Sequence, residues 1–110
     1  TLPNYTAKGY NVRNAAEEKI VRGAVSDISR ATVFKVGMHS PNWQIQKDNY
    51  NFPVGRFKWG LIWAKYPDSD DGFCRMIYVK LFQDYAGGGT YGATTGSLWR
   101  VEYAGCPPGK

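Results

Sequence analysis

One histidine and two cysteines in 110 residues remove most metal and nucleophile chemistry at the outset. A zinc site draws on about four ligands, and His39, Cys74 and Cys106 are the whole Cys and His supply. A Ser–His–acid or Cys–His system would have to use His39, whose neighbours Ser40, Pro41 and Trp43 offer no supporting motif. No apolar run approaches the ~18 residues of a helical membrane span. Neither metal, cofactor nor membrane is therefore expected as a partner. No repeat, linker or low-complexity tract divides the chain, so residues 1–110 read as a single domain. A domain of this length buries roughly 65% of its unfolded surface, enough for one hydrophobic core.

Aromatic residues are what the chain has in excess: four Trp, five Phe and eight Tyr, 15% of the total. Such rings fill a sheet-type core or serve as stacking platforms. Fourteen basic against nine acidic residues leave a net charge of +5, which favours nucleic acid or an acidic partner. Two cysteines 32 positions apart in a small chain read as one disulfide and an oxidising compartment. The start at Thr1 reads as that of a mature secreted protein, and Asn4-Tyr5-Thr6 is a glycosylation sequon.

Residues 1–13 lack a helical period and read as an irregular arm or short strands. Asn14 can cap a helix, with Glu17 at capping-box spacing. Ile20, Val21, Ala24, Val25, Ile28 and Ala31 then form one apolar stripe, predicting a helix over 14–30. Strands are expected at Thr32–Met38, Val54–Ala64, Arg75–Phe82 and Leu98–Tyr103, with 39–53 a polar and aromatic loop. In the second of these, alternation places Phe57, Trp59, Leu61 and Trp63 on one face and Arg56, Lys58 and Ile62 on the other. The class is α+β: one N-terminal helix packed on an antiparallel sheet of about four strands.

Two apparent motifs fail on their own terms. Gly87-Gly88-Gly89 lacks the Gly-Lys-Ser/Thr ending of a phosphate loop and no helix follows it, so a hairpin loop is the better reading. Asp68, Asp70 and Asp71 lack the bidentate Glu and flanking helices of a calcium loop, and a solvated turn accounts for them.

The order of helix, Phe57-Lys58-Trp59-Gly60, Arg75-Met76-Ile77-Tyr78, glycine loop, Ala93-Thr94-Thr95-Gly96 and terminal cysteine resembles the small fungal ribonucleases of the T1 type. The resemblance implies a microbial ribonuclease-like fold. It also puts Lys58 where that family has its general base and Thr94 where it has its acid, and it keeps the arginine at Arg75. Cleavage by 2′-OH attack needs a proton acceptor and a donor with pKa values near the working pH, which lysine and threonine do not supply. The expectation is a pseudoenzyme with no catalytic residues, in which Arg56, Lys58, Arg75 and Tyr78 bind RNA or phosphate. A small basic secreted chain of this kind looks like the RNase-like effectors of cereal powdery mildew fungi. That implies a virulence or avirulence effector secreted and then delivered to the host cell interior, acting as a monomer on host RNA, the ribosome or host proteins, among them a plant immune receptor. Many of those effectors begin with Tyr-x-Cys, whose cysteine pairs with the C-terminal one; here Ala7 stands in its place. The alternatives are an active secreted guanyl-type ribonuclease and a small secreted toxin.

For Cys74 and Cys106 two topologies compete. A direct hairpin of 74–83 with 98–106, pairing 82 with 98, sets Cys74 opposite Cys106, Tyr78 opposite Glu102 and Lys80 opposite Arg100, the last a like-charge contact. The topology of the resembled family inserts a short strand between the two and separates the cysteines. The hairpin is preferred because the alternative leaves two free thiols in a secreted chain.

Overall fold

The computed structural model describes residues 9–68 and 72–108. The sequon at Asn4, the position of Ala7, and Asp70 and Asp71 lie outside the described residues. Helix α1 spans Ala15–Gly23, and the Asn14 side chain accepts the Glu17 N–H at 3.0 Å. The returning carboxylate comes from Glu18 instead of Glu17: its Oε2 accepts the Asn14 N–H at 2.8 Å. Arg13 clamps the same carboxyl at 2.9 and 3.1 Å, and these hydrogen bonds hold it below the usual carboxylate range. Glu17 turns toward the sheet.

The helix is shorter than the apolar stripe predicts. After Gly23 the Ala24 N–H is shared between Ile20 O and Val21 O, and the Val25 and Ile28 N–H groups bond three residues back. A short 3-10 turn, Ile28–Arg30, ends the segment. Val25 is buried and Ile28 and Ala31 pack against the same core, so the periodicity records burial that a tightened backbone also delivers.

Among the described residues six strands follow: β1 (Thr32–Met38), β2 (Gln44–Lys47), β3 (Pro53–Lys65), β4 (Cys74–Gly87), β5 (Thr90–Tyr91) and β6 (Thr95–Ala104). All pairings are antiparallel. β3 and β4 form the long central ladder. β1 and β2 lie end to end along the outer side of β3, as β6 and β5 do along β4. β2 falls inside the stretch expected to be loop. It is closed into a hairpin by Asp48, whose Oδ1 accepts the Tyr50 and Phe52 N–H groups, with Asn51 at φ 70°.

Helix α1 covers one face of the sheet, where Val21, Val25, Val36, Met38, Ile62, Ile77, Val79 and Leu81 form the main core. It approaches closely because glycines lie beneath it: a Cβ on Gly60 would stand 2.6 Å from Val21 Cγ2 and one on Gly96 3.0 Å from Ile20 Cγ2. Tyr66 closes this core and donates to Asp27 Oδ1 at 2.8 Å. Burial first, then that hydrogen bond and the Asp27 charge, push its phenol up to about 12. On the opposite face Leu61, Trp63, Cys74, Met76 and Ala104 form a second cluster, covered by Tyr10, Phe34 and Cys106. The Trp63 indole N–H donates to Gly105 O at 3.0 Å, fastening the C-terminal segment over it.

β4 and β6 pair directly, as the hairpin requires, and Cys74 and Cys106 are disulfide-bonded with Cα atoms 5.1 Å apart. The register differs from the expected one. Cys74 lies opposite Ala104, and Cys106 reaches it from two residues beyond the strand end. A bulge then inserts Trp99: Tyr78 faces Arg100, while Val79 faces Leu98. Tyr78 is thus not directly opposite Glu102. Lys80 faces Ser97, so the like-charge contact with Arg100 does not arise.

Candidate nucleic-acid interface

The four residues expected to bind phosphate are not brought together. Arg56, Lys58 and Arg75 lie on the helix-covered face and Tyr78 on the other, as strand alternation from Ile62 and Ile77 requires. Lys58 sits opposite Leu81 and Arg75 opposite Ala64, six positions apart along β3, or roughly 20 Å. They cannot grip one phosphate as a pair. Lys58 is moreover buried under α1, its Nζ 2.8 Å from Glu17 Oε2, with side-chain exposures of 5% and 13%. Its ammonium also lies 4.8 Å from the Trp43 ring. Arg56 is wedged between Tyr91 at 4.1 Å and Trp43 at 5.0 Å and donates to Gln83 Oε1 at 2.6 Å. Gln83 in turn donates to Thr94 Oγ1 at 2.7 Å. This is a packed structural network that ties the glycine loop to β3 and β4.

Arg75 occupies the other end of that face, its guanidinium 4.8 Å from the Tyr66 ring and 5.8 Å from Tyr103. It lines a pocket of about 190 Å³ with Tyr66, Ile77, Leu98 and Val101, and its buried Nε has no hydrogen-bond partner among the described residues.

The helix-free face carries a different set, which alternation reveals only once the bulge is known. Trp59 and Trp99 lie 4.8 Å apart, Phe57 is edge-on to Trp59 at 5.9 Å, and Tyr78 is edge-on to Trp99 at 6.4 Å. Tyr10 extends the row, 6.1 Å from Tyr78 and 5.3 Å from His39. Cations overlie the rings. Lys80 Nζ is 4.8 Å from Phe57 and 5.5 Å from Phe82; the Arg100 guanidinium is 4.6 Å from Trp99 and 5.2 Å from Tyr78. Arg100 also pairs with Glu102 at 2.9 Å, and the Tyr78 hydroxyl is 3.5 Å from that carboxylate. Without the bulge, Trp99 and Arg100 would point to opposite faces; the extra residue brings both to this one. Trp99 is 54% exposed, so a planar ring at the centre of a cationic row is open to solvent. Aromatic rings interleaved with Lys and Arg stack bases and accept backbone phosphates.

Tyr78 is therefore the one expected site residue that belongs to this face. Trp59, Lys80, Trp99 and Arg100 were missed because their convergence depends on a bulge and on pairing between strands far apart in sequence. Among the described residues no group of three or more His, Cys, Asp or Glu is placed to hold a metal ion, and no helix is long and apolar enough to cross a membrane. Compared with protein-family models, curated proteins and solved structures, the chain gives no match.

Proposed function

We propose that the chain acts by binding and not by catalysis, with single-stranded RNA as the ligand of its helix-free face. In this reading it is a secreted RNase-like effector that engages host RNA, ribonucleoprotein or host proteins, including a plant immune receptor. The observation that carries the binding reading is the open aromatic row Trp59–Trp99–Tyr78 overlaid by Lys80 and Arg100. Bases stack on such rings without strict sequence preference, and the two cations supply a salt-dependent phosphate contribution. The disulfide accords with an oxidising compartment on the way out of the cell. Lys58 and Thr94, the positions that resemble the family's base and acid, are tied into Glu17 and Gln83 and offer no proton-transfer pair.

A second reading has one observation in its favour. His39, Tyr10, Tyr78 and Glu102 are linked on the helix-free face by ring contacts and the Tyr78–Glu102 approach, so an acid and a base stand on one surface with Arg100 between the aromatics. Incubation with total RNA separates the two readings. Under the binding reading the RNA remains intact at catalytic protein concentrations. Progressive shortening that disappears in His39→Ala and Glu102→Gln would replace the binding reading with the enzymatic one. Proteins co-purifying from plant tissue would identify the host partner.

A further inference from the structure

The outer edge of β6 is unpaired among the described residues: its inner side is hydrogen-bonded to β4, and no other strand flanks it. Edges of this kind are normally short, charged or covered. This one is ten residues long and carries exposed apolar side chains along the rim of the helix-covered face, with Leu98 at 50%, Val101 at 46% and Tyr103 at 54% exposure. Leu98 and Val101 border the pocket beside Val25 and Asp27, past the C-terminal end of α1. On the other face the same strand shows Trp99, Arg100 and Glu102 near its centre.

The order of these residues is self-complementary. In an antiparallel pairing of two β6 strands about a dyad at Val101, Val101 meets Val101, and Arg100 of each copy meets Glu102 of the other. The bulge at Trp99 offsets the next step by one residue, which sets Leu98 of each copy against Tyr103 of the other. Directly opposed residues share a face. One side of the junction therefore gathers six exposed apolar side chains, while the other gathers two Arg–Glu pairs flanked by the Trp99 ring of each copy. No like charges are opposed, and each intramolecular Arg100–Glu102 pair becomes half of a four-charge cluster. The geometry points to β6 as a homodimer edge: a second copy of this chain is the occupant, joining two sheets into one continuous sheet with a single isologous interface. The pairing uses the strand edge and leaves the Trp59–Trp99 rings on the open face, but it shares Arg100 with the proposed RNA face, so the association is measured in the absence of RNA.

Sedimentation equilibrium at about 0.15 M salt, where repulsion between two chains of charge +5 is screened beyond about 8 Å, tests it. The expected result is a reversible monomer–dimer equilibrium reaching twice 12.3 kDa. Glu102→Arg sets two arginine pairs face to face and is expected to weaken the dimer about tenfold. Adding Arg100→Glu to that variant restores complementary pairs and should recover the dimer. Val101→Lys opposes two lysines at the dyad and should leave a monomer, with an unchanged circular dichroism spectrum reporting an intact fold. A monomer at chain concentrations up to about 1 mM, where even weak interfaces are populated, would overturn the proposal and leave the edge to a strand of another protein. So would a double swap that dimerises no better than Glu102→Arg alone.

Discussion

Lys58→Glu is expected to unfold much of the protein instead of creating a nuclease. The resemblance to T1-type ribonucleases makes glutamate at this position an apparent repair of a lost base. The structure puts the side chain beneath α1, with its nitrogen 2.8 Å from Glu17 Oε2 and both groups largely buried. A carboxylate there would face another carboxylate, and Glu17 Oε1 is already buried without a hydrogen-bond partner among the described residues. Breaking a buried pair by removing one member costs about 3–5 kcal/mol, a large share of the 5–15 kcal/mol that typically holds such a domain. Thermal unfolding should show a midpoint lowered by roughly 15–25 °C. Lys58→Met combined with Glu17→Gln removes both charges and should recover most of the loss. A Lys58→Glu protein as stable as the wild type would show that the pair is solvated and that α1 does not seal this face.

Losing the disulfide should have the next largest effect. Cys74 is fully buried at the start of β4 and Cys106 lies past the end of β6, closing a loop across a separation of 32 residues. In the chain-entropy account such a bridge contributes about 3–4 kcal/mol. It also presses Gly105 onto the Trp63 indole, over the cluster of Leu61, Trp63 and Met76. Urea unfolding of the Cys74→Ala/Cys106→Ala variant should give a correspondingly lower midpoint with the same two-state shape. Intact mass after alkylation of the native, unreduced protein should show no modified thiol. Two alkylated thiols, or an unchanged urea midpoint, would refute the bond's contribution.

Where local chemistry decides the structure, the sequence was informative. Asn14 announces the helix start because its side chain can satisfy an orphan N–H. Alternation in 54–64 correctly separates Leu61 and Trp63 from Ile62, because a two-residue period follows from the strand backbone itself. Gln44–Lys47 gave no such signal: four mostly polar residues pair with β3 because the Asp48 turn returns the chain alongside it. The end of α1 was hidden because 3-10 turns bury Val25 and Ile28 as well as an α-helix would. The site was less legible than the fold. Lysine and arginine on a strand read as solvated charges, yet Lys58 finds Glu17, 41 residues away in sequence, and Arg56 finds two rings. The open face depends on one inserted residue, Trp99, and no local pattern marks where a ladder will bulge.

The binding face is tested most directly by the anisotropy of a labelled single-stranded RNA, titrated at several salt concentrations with the wild type, Trp99→Ala, Lys80→Ala and Arg75→Ala. One stacked base contributes about 1–3 kcal/mol, so Trp99→Ala should weaken binding by about tenfold or more with little change in salt slope. Lys80→Ala should lower the logarithmic salt slope by about 0.7, the value for one phosphate contact on a single strand. Arg75→Ala, on the opposite face, should bind as the wild type does. Wild-type affinity in Trp99→Ala together with lost affinity in Arg75→Ala would place the RNA on the helix-covered side and contradict the assignment of the aromatic face.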